Sequence, residues 1–213
     1  MNDSSAARSL TNMQRRLLDA AEVVFHEKGY QRARVSDIVG NAGVAQGSFY
    51  LHFRSKKAIF LELIDGFFAH LMAETLDRYP VTAIENQDEL RCQLEGIWSI
   101  LIKFCRDHPE LTRLILDAQS SLPPEDRVRL SAHFDRIAGA LALYMRHTIA
   151  AGLVRPLNPD LVGWVVLGMI ERALHFAVFV SPQSDSRSLA RDLTEFELNG
   201  LLSRTSLKEA CDD

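Results

Sequence analysis

The sequence has few cysteines and few helix breakers, and it lacks long uncharged apolar runs. Its three cysteines (Cys92, Cys105 and Cys211) show no CxxC spacing, so we expect buried thiols rather than a disulfide framework or a zinc site. Seven prolines in 213 residues and no sustained β-type alternation predict an almost entirely helical chain. No apolar stretch of about 18 residues is free of charge, so no membrane span is expected. The N-terminal MNDSSAARSL lacks the apolar core of a signal peptide, which predicts a cytoplasmic protein.

Catalytic and metal-binding motifs are missing too. The sequence contains no GxSxG, no P-loop, no HExxH and no paired aspartates of the kind that hold magnesium. His108, His133 and His147 lie too far apart along the chain to suggest a metal site. We therefore expect no enzyme, no cofactor and no metal. A helical enzyme acting on a hydrophobic substrate is kept as an alternative.

The segment Val35–Lys57 contains two short helices joined by a tight turn. Apolar residues at helical spacing allow residues 35–42 to bury one side of a helix. Gly43 can adopt the left-handed conformation that ends this helix and reverses the chain. A second helix over residues 45–52 buries Phe49 and turns its other side chains outward. This arrangement predicts a helix-turn-helix, whose second helix enters the major groove of DNA and reads base edges.

Outward positions in and around the second helix are the candidate DNA contacts. Gln46, Ser48 and His52 are expected to contact base edges, and Gly47 allows close approach. Phosphate contacts are expected from Arg34, Ser36, Tyr50 and Lys56. The complete expected set is Arg34, Ser36, Gln46, Gly47, Ser48, Tyr50, Leu51, His52, Lys56 and Lys57.

The start of the next helix carries an unusual charge pattern. Ser55 is a good N-cap residue. Lys56 and Lys57 nevertheless stand in the first turn, where the helix dipole disfavours positive charge by about 0.3–1 kcal/mol. Both lysines are explained if a DNA phosphate binds at this helix end, and the alternative is that both are simply solvated. On the first interpretation, loss of Lys56 weakens binding to all DNA sequences and flattens the salt dependence by about one unit.

A supporting helix over residues 12–28 precedes the helix-turn-helix. Its apolar stripe includes Leu17, Ala21 and Phe25. Gly29 fits the position just past the helix end, where Tyr30 can then contact Phe25. Residues 10–54 are thus expected to form a three-helix unit.

The run from Leu17 to Phe60 resembles the TetR family of bacterial transcriptional regulators. The matching pieces are Ala20-Ala21 with Phe25, Gly29-Tyr30, Ile38, Ala42-Gly43-Val44, Phe49-Tyr50, His52-Phe53 and Ser55-Lys56. The resemblance implies an all-α homodimer with an N-terminal DNA-binding domain and a C-terminal domain for ligand binding and dimerisation. Two positions depart from the family pattern, since Arg34 and Ala45 stand where Ser or Thr is common. Ser36 and Ser48 can supply the lost hydroxyl contacts.

Charge is divided between the two ends of the chain. Residues 1–57 hold nine Lys or Arg and five Asp or Glu, a net charge of +4. The remainder holds 15 against 23, a net charge of −8, and the two values sum to the overall −4. The basic N-terminal segment produces a positive electrostatic potential where DNA phosphates would bind. The overall negative charge of the chain therefore does not argue against DNA binding.

The expected fold is all-α, with about nine helices in two domains. Residues 1–54 form the helix-turn-helix DNA-binding domain, and residues 55–213 form the effector-binding and dimerisation domain. Prolines, glycines and polar loops divide the second domain. Its predicted helices cover residues 55–79, 87–107, 109–120, 124–151, 159–180 and 187–204.

The last two long helices are the candidates for a dimer contact. The helix over residues 160–180 is apolar nearly all round, so it must be covered on more than one side. Two such helices from each subunit would form a four-helix interface, as the resemblance implies, and a palindromic operator demands the same two-fold symmetry. The alternative is that both helices pack inside a monomer. The expected interface residues are Trp164, Gly168, Leu189, Leu193, Phe196 and Gly200.

A ligand cavity is expected between the helices of the second domain. Wide apolar and aromatic faces on three of its helices can enclose one, and plain core packing is the alternative. The expected lining residues are Trp98, Ile102, Cys105, Phe134, Leu141, Tyr144, Trp164, Met169 and His175. Such a lining favours a mostly apolar or aromatic effector.

The sequence therefore predicts a ligand-responsive transcriptional repressor that binds a palindromic operator as a dimer. Its two recognition helices would have to lie roughly 34–36 Å apart to enter successive major grooves. A small effector that binds only the conformer with the wrong spacing would release the DNA. A DNA-binding regulator without a small-molecule effector is the main alternative.

Overall fold

The fold is all-α, as predicted. A computed structural model describes the backbone of residues 3–121 and 124–201 and the side chains of residues 12–117 and 127–200. Within these ranges there are nine α-helices and no strand. The helices are α1 (Asp3–Arg32), α2 (Val35–Ala42), α3 (Gln46–His52), α4 (Lys56–Met72), α5 (Gln87–Asp107), α6 (Pro109–Ser121), α7 (Pro124–Ala150), α8 (Pro159–His175) and α9 (Ser186–Leu201).

Local chemistry at the helix ends explains most of these boundaries. Gly29 interrupts α1 with a φ of 72°, and Gly43 ends α2 with a φ of 64°. Both conformations are accessible to glycine without a Cβ clash. The Asn158 side chain accepts hydrogen bonds from the Asp160 and Leu161 amides at 3.1 and 3.2 Å, and this cap starts α8. The sequence predictions at these positions are confirmed.

Two of the predicted helices end differently from the expectation. Both α4 and α8 pass into a π-helical turn, Ala73–Asp77 and Phe176–Val180 respectively. In the first turn, the Thr75 hydroxyl donates to the Leu71 carbonyl at 2.5 Å, which offers the backbone an alternative to regular α-helical bonding. The predicted helix end near Arg204, together with Pro123 and Cys211, lies outside the described residues.

The described chain forms two compact units. The first contains residues 3–70 and 108–130, and the second contains residues 71–107 and 131–201. The unit with the helix-turn-helix is thus larger than the expected domain of residues 1–54. It includes α6 because this helix packs against α1. Two contacts accompany that packing, His108 with Glu22 at 3.8 Å and His26 with Glu110 at 3.9 Å.

Aromatic side chains form much of the core of the first unit. Phe25, Phe49 and Phe60 are fully buried. The rings of Phe25 on α1 and Phe60 on α4 meet edge to face, with centroids 5.4 Å apart. The Tyr30 ring lies 5.8 Å from Phe25, which confirms the contact predicted across Gly29. This core fixes the position of the helix-turn-helix on its supporting helix.

The second unit is a helical bundle in which α5 packs extensively against α9. Its buried cluster includes Leu90, Leu94, Met145, Val166 and Leu198. Close approach of α8 to α7 depends on Gly163, because a Cβ at that position would lie 2.5 Å from the Ala138 carbonyl oxygen. The bundle positions the cavity described below.

Of the two cysteines on α5, only one is buried as expected. Cys105 is buried, as predicted, but Cys92 is exposed. The buried stripe of α5 follows Leu90, Leu94 and Trp98. Position 92 lies about 200° around the helix from position 90, which turns its thiol away from that stripe.

Among the described residues, one helical segment meets the length and composition expected for a membrane span. The apolar segment Pro159–Val180 passes this test, although it contains the charged residues Asp160, Glu171 and Arg172. The core helix of a soluble protein passes it as well. The exposed apolar side chains of this segment include Leu161, Trp164 and Val165.

Candidate functional site

The turn between α2 and α3 has helix-turn-helix geometry. The Gly43 amide donates to the Gly40 carbonyl, and the Val44 amide donates to the Val39 carbonyl at 3.0 Å. The Arg16 guanidinium of α1 donates to the Ala42 carbonyl at 2.7 Å and so closes the end of α2. Sequence reasoning missed this contact, since an arginine on the polar side of a helix carries no signal for a carbonyl far along the chain.

The short helix α3 presents its polar side to solvent. Phe49 is fully buried, whereas Tyr50 and Leu51 are 53% and 80% exposed. Gln46 and Gly47 are exposed, and Ser48 and His52 are half-buried. Ala45 precedes the helix in an extended conformation and provides no side-chain cap. The exposure of α3 leaves its N-terminal residues accessible to base edges.

The start of α2 is stabilised by Asp37 rather than by the residue before the helix. The Asp37 carboxylate accepts the Arg34 backbone amide at 2.9 Å and pairs with the Lys28 ammonium at 2.8 Å. The hydrogen bond from Lys28 is the largest cause that holds the pKa of Asp37 below its usual value, and the Arg34 amide adds to it. Arg34 has no acceptor atom and cannot cap the helix. Its guanidinium and the Ser36 side chain are exposed beside α2.

Lys56 has a structural role that the sequence did not reveal. Its ammonium donates to the carbonyls of Tyr30, Gln31 and Ala33 at 2.6, 3.2 and 2.8 Å. The same group lies 4.6 Å from the centroid of the Tyr30 ring. The three protons of the Lys56 ammonium can therefore bind three backbone carbonyls at the end of α1, and lysines commonly satisfy terminal helix carbonyls in this way. The expectation of a phosphate contact at Lys56 needs correction, because its donors are already committed.

Two neighbouring residues also belong to the start of α4. Ser55 caps α4 as predicted, since its hydroxyl accepts the Ala58 amide at 3.1 Å. Lys57 is exposed in the first turn. The second lysine is therefore the better candidate for phosphate.

A small cavity lies in the second unit between α5, α7, α8 and α9. Its volume is about 50 Å³. The lining is almost entirely apolar and consists of Leu76, Leu90, Leu94, Ile97, Trp98, Leu101, Leu141, Tyr144, Met145, Thr148, Val154, Val166, Ile170, Glu197 and Leu198. A ligand of more than a few heavy atoms would have to displace some of these side chains.

Glu197 is the acidic group of this cavity. The Trp98 indole Nε1–H donates to the Glu197 carboxylate at 3.2 Å. Burial raises the pKa of Glu197 to about 7, although the indole hydrogen bond opposes the shift. Burial, followed by the nearby negative charge of Glu197, raises the pKa of Tyr144 above its ordinary value. Sequence reasoning missed Glu197, although an acid beside the apolar stripe of α9 was a visible signal.

The expected ligand residues are only partly brought together. Trp98, Leu141 and Tyr144 line the cavity. The other six do not line it: Ile102, Cys105 and Phe134 are buried in the core, Met169 packs against the buried cluster, and Trp164 and His175 are exposed on α8. The correction has a simple cause, because an apolar stripe does not distinguish core-facing, cavity-facing and outward positions.

Three of the six expected dimer residues are exposed in the single chain. On α8, Leu161, Trp164 and Val165 are 62%, 52% and 60% exposed. On α9, Phe196 is 73% exposed and Gly200 is exposed. The remaining expected residues, Gly168, Leu189 and Leu193, are half-buried. Both helices thus have apolar surface that the described part of the chain leaves uncovered.

Comparison with known proteins agrees with this geometry. Residues 17–63 match the family model of the bacterial regulatory proteins of the tetR family. The chain belongs to the TetR family. The matched residues run from α1 to α4 and include the whole helix-turn-helix, so this family member is a DNA-binding transcriptional regulator.

Relatives in the family extend the likeness along the chain. The uncharacterized HTH-type transcriptional regulator YdgC of Bacillus subtilis is 27% identical over 195 residues, which cover 88% of this chain and 92% of YdgC. The HTH-type transcriptional repressor KstR2 of Mycobacterium tuberculosis is 40% identical over 67 residues, 32% of this chain and 34% of KstR2.

A solved structure shares the fold over most of the chain. The transcriptional regulator FadR from Bacillus subtilis, solved in complex with stearoyl-CoA, superposes with a TM-score of 0.72 at 21% identity. The match covers 87% of this chain and 97% of FadR.

Proposed function

We propose that this TetR-family regulator is a cytoplasmic repressor that binds a palindromic operator as a homodimer and releases it when a small, mostly apolar or aromatic effector binds. The observation that carries the DNA-binding part is the exposed face of α3, held in place by buried Phe49. Helix-turn-helix proteins read base edges with the N-terminal residues of such a helix. We propose no catalytic role and no cofactor or metal.

In this proposal the DNA contacts divide into readers and anchors. Gln46, Ser48 and His52 read base edges, and Gly47 allows close approach. Arg34, Ser36, Tyr50 and Lys57 bind phosphates, and Leu51 contacts the groove surface. Replacing Gln46 by alanine changes the preferred sequence, because direct readout depends on the side chain. Equal losses of affinity on cognate and random DNA would contradict the assignment of Gln46 as a reader.

The exposed apolar surfaces of α8 and α9 support the dimer. Leu161, Trp164 and Val165 occupy positions i, i+3 and i+4 and so share one side of α8. Contiguous exposed apolar surface of this kind is typical of protein contacts. Sedimentation at micromolar concentration tests the proposal. We expect a dimer that Trp164→Glu converts to a monomer, whereas Val128→Glu, at an exposed position in the other unit, leaves the dimer intact.

The effector part of the proposal is supported by the cavity and by one relative. The cavity is lined by apolar and aromatic side chains with few polar groups, which is the usual character of a small-molecule site. FadR, which shares the fold, was solved with stearoyl-CoA, a molecule with a long apolar acyl chain. The name of KstR2 supports repression as the sign of regulation.

Selection of bound sequences from random duplexes, followed by a compound screen for release, tests the whole proposal. We expect an inverted repeat, which reflects two-fold symmetry in the bound protein. We also expect that at least one apolar compound raises the melting temperature and weakens operator binding, because an effector acts through its differential affinity for two states. If the true effector strengthens operator binding, the proposed sign of the switch is wrong. A regulator without an effector would bind the repeat but respond to no compound.

A further inference from the structure

The cavity of the second unit has polar groups that are unequal in their remaining hydrogen-bonding capacity. The Tyr144 hydroxyl donates to the Gln93 side-chain oxygen at 3.3 Å. The Thr148 hydroxyl donates to the carbonyls of Tyr144 and Met145 at 3.2 and 3.1 Å. These two hydroxyl protons are therefore committed to the protein.

The Glu197 carboxylate, in contrast, still has unused hydrogen-bonding capacity. An ionised carboxylate is an acceptor with about four lone-pair sites. Among the described residues, the Trp98 indole is the one hydrogen-bond donor to it. The lining residues include no lysine, arginine or histidine, so the cavity wall supplies no positive charge to the carboxylate.

Such a group makes the cavity selective by charge. An ionised carboxylate in an apolar surrounding is costly unless a partner is present. A ligand cation or hydrogen-bond donor beside Glu197 supplies that partner, and the rings of Trp98 and Tyr144 add favourable contact with a cation. A ligand carboxylate at the same place would instead put two like charges together.

We propose that this cavity takes an apolar effector whose polar end is an amine or another hydrogen-bond donor accepted by Glu197, and that it rejects effectors that present a carboxylate there. This inference rests on the proposed function only in taking the cavity as the effector site. It assigns the chemical class of the effector and makes Glu197 the residue that determines specificity.

Two matched sets of small probes test the proposal on the full-length protein. The first set is isobutylamine, isobutanol and isovalerate, and the second is benzylamine, benzyl alcohol and phenylacetate. Binding is measured by calorimetry and by tryptophan fluorescence, to which Trp98 in the cavity contributes. We expect each amine to bind at least about tenfold more tightly than the carboxylate of its set at pH 7.5, with the alcohol between them.

Two isosteric variants separate Glu197 from general effects of charge on α9. Glu197→Gln keeps an acceptor for the Trp98 indole and removes the charge, so the preference for amine over carboxylate should vanish. Glu195→Gln is the matched control, because Glu195 pairs with Arg91 and does not line the cavity. That variant should retain the full preference.

A pH series on the unaltered protein gives a second measurement that needs no variant. Tyr144 on α7 is the titratable group that interacts with Glu197, and it stays protonated near neutrality. With a Glu197 pKa of about 7, the ionised fraction rises about tenfold between pH 6 and pH 8. Amine affinity should rise by about the same factor, and alcohol affinity should change much less.

The outcomes are distinct. Carboxylates that bind as tightly as amines, a preference that survives in Glu197→Gln, or failure of all six probes to bind would each overturn the inference. Operator binding without ligand is measured in parallel by mobility shift. If the operator is bound and the amine preference is absent, only this inference fails. If no duplex is bound, the proposed function itself fails, whatever the probes do.

Discussion

Replacing Lys56 by methionine removes an ammonium that donates to three backbone carbonyls and keeps an apolar stem beside the Tyr30 ring. Hydrogen bonds to a charged group contribute about 1.5–3 kcal/mol each when well shielded. The group is only partly buried here and water can replace some contacts, so we expect a total loss of about 2–3 kcal/mol. For a chain of this length, that loss lowers the melting temperature by roughly 5–10 °C.

The assay compares two adjacent lysines. Thermal unfolding at fixed protein concentration should show the full loss for Lys56→Met and a smaller one, at most about 1 kcal/mol, for exposed Lys57→Met. The salt dependence of DNA binding, in contrast, should change for Lys57→Met and not for Lys56→Met. Loss of one phosphate contact flattens the logarithmic salt slope by about 0.9, and we expect this for Lys57→Met only. If Lys56→Met melts like the unaltered protein but loses that slope, then Lys56 leaves the carbonyls to bind DNA and the structural role is refuted.

Three further predictions concern stability, each measured by denaturant or thermal unfolding. Gly163→Ala should lower the free energy of unfolding by about 1–3 kcal/mol, because the added Cβ meets the Ala138 carbonyl oxygen. The control Gly139→Ala adds a Cβ in open space of the described structure and should be neutral or stabilising by up to about 1 kcal/mol. Equal effects of the two substitutions would refute the close approach of α8 to α7. Thr194→Val should stabilise the protein by about 1 kcal/mol, because the Thr194 hydroxyl is buried and has no hydrogen-bond partner among the described residues. A clear loss of stability would show that this hydroxyl has a hydrogen-bond partner. The pKa of Glu197 is raised from 4.5 to about 7 in the folded protein, so between these pH values the native state binds more protons than the unfolded state. The free energy of unfolding should therefore fall as pH rises across this range, by up to roughly 3 kcal/mol relative to Glu197→Gln. Parallel curves of stability against pH for the two proteins would contradict the shift.

The helix boundaries that could be predicted are those set by local chemistry. The range of α2 follows from its apolar spacing and from Gly43, and the start of α8 follows from Asn158 and Pro159. The π-helical turns after α4 and α8 could not be foreseen, because periodicity does not distinguish a helix that continues from one that widens by a residue. Local signals thus predicted the helix boundaries that a capping residue or a glycine sets, but not the widening of a helix into a π-helical turn.

The exposed side chains of α3 were easier to predict than the lining of the cavity. A seven-residue helix with one buried aromatic leaves little choice about which side chains face outward, and Phe49 decides it for α3. The cavity depends on how four helices meet, and Ile102 and Trp98 share an apolar face although only Trp98 reaches the cavity. That difference is a property of the packing rather than of either residue.

Charged residues were the hardest to interpret from sequence. Lys56 and Lys57 are adjacent and identical in type, yet one ammonium binds carbonyls at the end of α1 and the other side chain is exposed. Arg16 and Asp37 likewise hold α2 through contacts that the linear pattern does not display. Their partners are set by the tertiary fold, so net charge along the chain predicted a basic surface but not its structural exceptions.

The most direct test of the central claim is the affinity of the protein for its selected duplex relative to a scrambled duplex of the same length and composition, measured by fluorescence anisotropy at physiological salt. Sequence-specific regulators bind their sites about 10³-fold or more tightly than other DNA. We predict a ratio of at least that order, reduced in Gln46→Ala. Equal affinity for the two duplexes would show that α3 does not read sequence and would contradict the account.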